Sequence, residues 1–274
     1  MKRFFEHFLF LNLWIAIGVF LLCAESFIFF SSPINYTFLV FVFFGTLFIY
    51  NLHRYFINCN SVEEKEKKHN KWIAENRKKI LFIILLSAIV ISFLLLYFSK
   101  TEIFYLIPVA ITSFLYSIGS NKILRGIREI PYLKIFIICF SWGYVTGFLP
   151  GIFSGISYSE IYPVFLMKTL FAFCVYIPFE IRDMNEDPPS FKTLPQVIGV
   201  NGSFLTGILF LFLFALISFN YSFTPFMTLA AVCLLTFTGL LLSKRKKSEM
   251  FYFLFIDSLL VLKPLFSLVA IKLL

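Results

Sequence analysis

Four carboxylates lie within eight residues in the segment PFEIRDMNEDPPSFKTLPQ (178–196), which separates two long apolar stretches. Glu180, Asp183 and Asp187 have the spacing i, i+3 and i+7, so they share one face if the preceding helix continues that far. The Pro-Pro pair that follows Asp187 ends the helix, because proline lacks a backbone donor and disfavours helical geometry in the residue before it. The sequence therefore predicts a cluster of acids at the carboxyl end of a helix.

Carboxylates are unfavourable at that end of a helix, since the helix dipole already places partial negative charge there. A positive partner is therefore expected. Arg182 and Lys192 lie close enough in sequence to supply part of it, and a magnesium ion, which binds carboxylate and phosphate oxygens, is the other candidate. The alternative is a solvated turn whose acids pair with neighbouring basic loops.

The elements that position these acids are predicted to be membrane-spanning helices. Of the 274 residues, 59% are hydrophobic and only 14% are charged, a balance that excludes an ordinary soluble domain. Apolar stretches of about 20 residues, the length of helix that crosses a bilayer, recur along the whole chain. We therefore expect an all-α multi-pass membrane protein with a single integral membrane domain, residues 1–274.

Hydropathy predicts nine transmembrane helices, the first of which is retained rather than cleaved as a signal peptide. The nine predicted spans are residues 8–30, 37–57, 80–98, 103–118, 135–153, 160–179, 201–219, 224–242 and 250–272.

The protein is predicted to lie in the cell membrane, and the distribution of its basic residues predicts that the amino terminus is on the cytoplasmic side. With that orientation all but four of the 24 Lys and Arg residues are cytoplasmic, as the positive-inside rule requires. The acidic segment then lies on the cytoplasmic side. The same asymmetry accounts for the net charge of +9, so the charge indicates contact with the lipid bilayer and gives no support to nucleic-acid binding.

Several polar residues fall inside the predicted spans, where charge is costly and often functional. Asn12 lies in the cytoplasmic half of the first span and is a candidate for a substrate pocket. Glu25 lies near the outer end of that span, where we expect it to reach water. A small transporter that uses Glu25, Lys168, Asp257 and Lys263 as a coupling relay is one hypothesis for function.

The acidic segment resembles a motif of the UbiA-type intramembrane prenyltransferases, which attach isoprenoid chains to quinone, haem, chlorophyll or lipid precursors. Glu180-Ile-Arg-Asp183-Met-Asn-Glu-Asp187, followed by Lys192-Thr-Leu, is similar to the second aspartate-rich motif of the family, D-x-x-D-x-x-x-D with a downstream K/R-T-L. Here Glu180 replaces the first aspartate. Residues 115–150 also resemble the loop between the fourth and fifth helices of the family, whose architecture has nine helices and a cytoplasmic amino terminus.

The first acidic motif of the family, N-D-x-x-D-x-x-x-D, is altered in this chain. The corresponding segment begins at Asn51, but Leu52, Tyr55 and Cys59 stand at the aspartate positions. Arg54 lies in the same segment and could contact a phosphate directly in place of a bridging metal, because a guanidinium binds phosphate through two hydrogen bonds.

The resemblance implies a prenyltransferase that takes a prenyl diphosphate and a lipophilic or aromatic acceptor. Magnesium and basic residues would neutralise the developing diphosphate while the acceptor captures the allylic carbocation. The alternative is a catalytically lapsed relative that binds an isoprenoid or quinone-like lipid.

Site residues follow from the resemblance by position. The implied metal ligands are Glu180, Asp183 and Asp187, and the implied catalytic residues are Asp183, Asp187 and Asn51. The candidates for diphosphate contacts are Arg54, Lys122, Arg125, Arg182 and Lys192, and those for the prenyl or acceptor pocket are Asn12, Tyr116 and Trp142.

Overall fold

The computed structural model describes residues 7–60, 68–118, 133–221, 224–245 and 247–273. Long apolar helices make up most of these residues, as the hydropathy predicts. The helices are α1 (Leu13–Phe29), α2 (Tyr36–Asn60), α3 (Lys68–Glu75), α4 (Arg77–Leu94), α5 (Lys100–Ile118), α6 (Leu133–Phe153), α7 (Tyr158–Asp183), α8 (Leu194–Asn220), α9 (Phe226–Ser243) and α10 (Glu249–Ala270).

Within the described ranges, seven helices are long and apolar enough to cross a membrane. They are α2, α4 (extended to Tyr97), α6, α7, α8, α9 and α10. The predicted spans 8–30 and 103–118 correspond to α1, which has only 17 residues, and to α5, which is not among the seven. The chain is therefore a helical membrane protein, whereas nine spans and a cytoplasmic amino terminus stay predictions.

Regular helical geometry is interrupted at two residues with positive φ, Asn12 before α1 and Gly199 within α8. Asn12 (φ 61°) precedes α1 and ends the helical turn that begins at His7, which is why α1 is shorter than the predicted span. In α8, Gly199 has φ 72° and ψ 172°, a conformation that a residue with a side chain rarely adopts. Gly199 separates a first turn, which begins at Leu194, from the long apolar part of the helix.

The chain divides into two compact units, one formed by Met1–Phe20 with Tyr36–Glu129 and the other by Leu21–Asn35 with Ile130–Leu274. In the first unit α2 packs against α4 and α5. In the second unit α7 packs against α6, α8 and α9. The membrane-length window of α7 is 72% buried, compared with 50% or less in the other six candidate spans, so α7 is the central helix of its unit. The prediction of a single domain stays a prediction.

A cluster of buried charges joins three helical segments of the second unit. Glu25 is fully buried, and its Oε2 atom forms ion pairs with both Lys168 of α7 and Lys263 of α10. Lys168 Nζ also donates to the carbonyl oxygen of Leu22 at 3.0 Å. The expectation that Glu25 reaches water is therefore wrong. Ammonium groups in apolar surroundings need a nearby anion, and Glu25 supplies it.

Helix α6 lies directly against the backbone of α7 at Gly147, where there is no room for a side chain. A Cβ atom added to Gly147 would lie 2.9 Å from Phe165 Cα and 3.1 Å from the carbonyl oxygen of Val164. Both atoms belong to the backbone of α7, which cannot move aside as the end of a flexible side chain can. The glycine thus sets the distance between the two helices.

Gly147→Ala should therefore destabilise the second unit by about 1–3 kcal/mol of unfolding free energy, the usual cost of overpacking. Thermal unfolding of the purified protein in detergent measures the change. Gly45→Ala is the matched control, because a Cβ on this helical glycine of α2 meets nothing within 4 Å. The control should be neutral or stabilising by up to about 1 kcal/mol. Equal losses in the two variants would contradict the close contact of α6 with α7.

Candidate active site

The acidic segment lies at the end of the central helix, as its prolines predict. Helix α7 ends at Asp183, and its last carbonyl accepts hydrogen bonds from the backbone N–H groups of Glu186 and Asp187 at 2.9 and 2.8 Å. These bonds fold the next residues into a tight turn before Pro188. The turn brings Asp187 back towards Glu180, so both carboxylates lie on the buried side of the segment.

The start of α8 holds this acidic turn in place. Gln196 Nε2 donates to the carbonyl oxygens of Asp187 at 2.8 Å and Met184 at 3.2 Å. Gln196 Oε1 accepts a hydrogen bond from the backbone N–H of Thr193, which precedes α8, at 2.9 Å. One amide side chain therefore satisfies backbone groups on both sides of the connection.

Lys134, at the start of α6, lies between two of the predicted metal ligands. Its Nζ atom is 3.0 Å from Glu180 Oε1 and donates a hydrogen bond to Asp187 Oδ2. The side chains of Lys134, Glu180 and Asp187 are only 5%, 1% and 7% exposed. An ammonium group thus already occupies the position between the carboxylates, and the surrounding protein shields the ion pairs from water.

Asp183 has a different basic partner. Arg182 donates to both of its carboxylate oxygens, from Nε at 2.6 Å and from Nη2 at 3.0 Å. The guanidinium also lies 5.0 Å from the ring centroids of Phe179 and of Tyr252. Contacts with a carboxylate and two rings fix its orientation. Both side chains stay partly exposed, 29% for Arg182 and 24% for Asp183.

Three predicted site residues meet in the first unit, around the break that precedes α1. Asn51 is fully buried, and its Nδ2 donates to the carbonyl oxygens of Leu11 and Leu47 at 3.0 and 2.8 Å. Asn12 Nδ2 lies 3.4 Å from Asn51 Oδ1. Arg54 Nη1 donates to the carbonyl oxygen of Phe10 at 2.9 Å. These bonds satisfy carbonyls at the helix break, and the predicted chemical roles of Asn12, Asn51 and Arg54 stay predictions.

The remaining predicted site residues lie away from these contacts or outside the described part of the chain. Lys192 is exposed and has a left-handed backbone (φ 45°) in the connection between α7 and α8. Trp142 packs against the core of the second unit. Lys122 and Arg125 lie outside the described residues, and so does the side chain of Tyr116.

Lys134 is the residue that the sequence did not single out. It ends a basic loop whose lysines and arginines are accounted for by membrane topology, and its partner Asp187 is 53 residues away. Its position is the one sequence feature that points to a role, since it precedes an apolar stretch in the segment that resembles a prenyltransferase loop. Nothing in the spacing indicates which carboxylates it would meet.

The comparisons with known proteins identify the fold. Among solved structures, the fold is similar to that of a UbiA homolog from Archaeoglobus fulgidus, with a TM-score of 0.60 and 10% sequence identity. The match covers 97% of this chain and 99% of the homolog. The chain has a UbiA-like fold. No protein-family model and no curated protein sequence matches it.

The resemblance inferred from the acidic segment is thereby confirmed at the level of the fold. At 10% identity the similarity concerns the arrangement of the helices alone. The chemistry of this UbiA-like chain depends on its own side chains, and these include Lys134 between the carboxylates of the resembling motif.

Magnesium, the ion that the resemblance implies, does not fit these carboxylates as they are arranged. Lys134 pairs with Glu180 and Asp187, and Arg182 holds both oxygens of Asp183. In the part of the chain that the structure describes, no group of three or more His, Cys, Asp or Glu residues could hold a metal ion. A divalent cation would compete for the same oxygens and would be repelled by the ammonium. Magnesium binding stays a prediction that a metal titration tests.

Lys134→Met should destabilise the protein strongly, because it leaves two buried carboxylates without their ammonium partner. Removal of one member of a buried ion pair costs about 3–5 kcal/mol of unfolding free energy. Unfolding of the purified variant in detergent measures the loss. Lys78→Met, which removes an exposed lysine at the start of α4, is the control and should change stability by no more than about 0.5 kcal/mol. A loss in Lys134→Met as small as that of the control would show that the buried ion pairs do not stabilise the fold.

Proposed function

We propose that this protein is a membrane-embedded prenyltransferase, which moves an isoprenoid chain from a prenyl diphosphate to a lipophilic or aromatic acceptor on the cytoplasmic side of the cell membrane. The UbiA-like fold over nearly the whole chain supports the class of protein. The observation that carries the proposal is the buried charged cluster of Lys134, Glu180 and Asp187, because it joins the two segments that resemble the family. Glu180 and Asp187 belong to the segment similar to the second acidic motif, and Lys134 belongs to the segment similar to the prenyltransferase loop.

Arg182 is the cation of this site that is suited to stabilise a leaving diphosphate, because its guanidinium is held in place and its side chain is 29% exposed. In prenyl transfer the bond between the allylic carbon and the diphosphate oxygen breaks, and the electron pair leaves with the diphosphate. A carbon or oxygen of the acceptor then bonds to the allylic carbon and loses its proton. Fixed positive groups near the departing oxygens lower the barrier, because they need no reorganisation as the negative charge develops.

Each carboxylate contributes by holding a cation in place. Glu180 and Asp187 hold the Lys134 ammonium at the start of α6, and Asp183 holds the Arg182 guanidinium against Phe179. Arg182 and Asp183 are partly exposed, so a diphosphate can reach this edge of the cluster. We assign Arg182 to diphosphate binding, Asp183 to positioning its guanidinium, and Lys134 to neutralising the buried acids beside it.

Transfer of label from radiolabelled prenyl diphosphates to lipid-soluble products tests the proposal. Asp183→Asn and Asp187→Asn should each lower the rate by about 100-fold or more, because the first frees the Arg182 guanidinium and the second removes one of the two carboxylates that hold the Lys134 ammonium. Glu160→Gln is the matched control, since it removes an exposed carboxylate at the opposite end of the same helix. The control should keep the wild-type rate.

Purified wild-type protein should be assayed with prenyl diphosphates of several chain lengths and in membranes that contain the native acceptor. If the wild type binds isoprenoid yet transfers no label under any of these conditions, the protein is a lapsed relative and the proposed activity is wrong. Parallel reactions with magnesium and with a chelator show whether the metal implied by the resemblance takes part.

Lys168→Met separates prenyl transfer from the transporter hypothesis. The Glu25–Lys263 ion pair stays intact in this variant, and none of these residues belongs to the acidic segment. The transferase proposal therefore predicts a wild-type rate of label transfer per folded protein. A coupling relay predicts the opposite pattern for transport activity. Lys168→Met should abolish transport and Asp187→Asn should leave it unaffected, and that result would favour the transporter hypothesis.

A further inference from the structure

The ion pairs of Lys134 bear on how the acidic site is neutralised. The acids at the end of α7 need positive charge, since the helix dipole and the neighbouring carboxylates repel one another there. Lys134 Nζ contacts Glu180 Oε1 and Asp187 Oδ2, which lie on the last turn of α7 and on the turn that follows it. One ammonium group therefore bridges the two carboxylates that a metal ion would otherwise bridge.

Burial makes this arrangement exclusive. Lys134, Glu180 and Asp187 are almost completely shielded from solvent, so a second cation at the same oxygens would face the ammonium without screening by water. A divalent ion could bind these carboxylates only after Lys134 had moved away. Such a movement would break both of these ion pairs, which is costly in itself.

The ligand set is nevertheless that of a cation site. Glu180 Oε2 is buried and has no hydrogen-bond partner among the described residues, and Glu180 Oε1 is held only by the ion pair with Lys134. Oxygen atoms of two carboxylates, completed by water, are what magnesium and manganese prefer. Removal of the ammonium would thus expose an oxygen-rich site of suitable charge.

We propose that Lys134 is a built-in replacement for a divalent metal ion at this acidic site. The carboxylates serve as anchors for the ammonium group, and the site engages an anionic phosphate or diphosphate group through the partly exposed Arg182 without a bound metal. The second statement rests on the proposed function, whereas the first concerns the cation site alone and does not depend on it.

Manganese titration of the purified protein in detergent, followed by the electron paramagnetic resonance signal of free Mn²⁺, tests the first statement. The wild type and Lys134→Arg should leave the free signal unchanged at micromolar concentrations. Lys134→Gln should remove about one equivalent of free Mn²⁺, because the ammonium no longer lies between the oxygens of Glu180 and Asp187. The double variant Lys134→Gln/Asp187→Asn should lose this binding again.

The wild-type titration can overturn the proposal even if Lys134→Gln does not fold. One equivalent of Mn²⁺ bound by the wild type and lost in Asp187→Asn would overturn the proposal, since metal and ammonium would then share the site. Folded Lys134→Gln that binds no Mn²⁺ would overturn it as well, because the carboxylates would not form a cation site in either state.

Label transfer in a chelator separates this inference from the proposed function. Transfer that persists without divalent metal supports both. Transfer that is abolished by the chelator and restored by magnesium keeps the prenyltransferase assignment and overturns the metal replacement. Absence of transfer under all conditions, combined with the expected Mn²⁺ results, refutes the enzymatic assignment and leaves Lys134 as the resident cation of the site.

Discussion

A carboxylate that stays charged inside a membrane protein is stabilised by a positive partner, and such pairs occur twice in the second unit of the chain. The end of α7 carries Glu180 and Asp187, which are almost fully buried, and Lys134 forms ion pairs with both from the start of α6. A second set of buried ion pairs lies near the middle of α7, where Lys168 and Lys263 both pair with Glu25. Both clusters join helices that are distant in sequence. These ion pairs connect the helices in addition to the apolar packing around them.

The central position of α7 follows from the same pairs. Packing between lipid-embedded helices gains little from the hydrophobic effect, since lipid is as apolar as leucine, so close contacts and polar pairs decide which helices associate. Helix α7 has both. It packs closely against α6 at Gly147, and it carries Lys168 in its middle and Glu180 near its end. This combination accounts for its greater burial compared with the other candidate spans.

Much of this architecture could be predicted from local sequence, and the charge pairs could not. The Pro-Pro pair marks the end of α7 because its effect is on neighbouring backbone, and hydropathy places the long helices because it depends on consecutive residues. Ion pairs depend on tertiary structure. Glu25 meets residues 143 and 238 positions away, so its predicted exposure near the end of a span was wrong. Lys134 has the same character, since a topology rule accounts for its charge without indicating its partners.

The interruption of α8 at Gly199 divides that helix into a short first turn and a long apolar segment. Gln196 ties the first turn to the carbonyls of Met184 and Asp187, so this turn belongs structurally to the acidic segment. The apolar part after Gly199 packs within the membrane bundle, and the glycine interrupts the regular helical geometry between the two parts. A displacement of the acidic turn can thus be absorbed at a single residue, without rotation of the helix that anchors it in the bilayer.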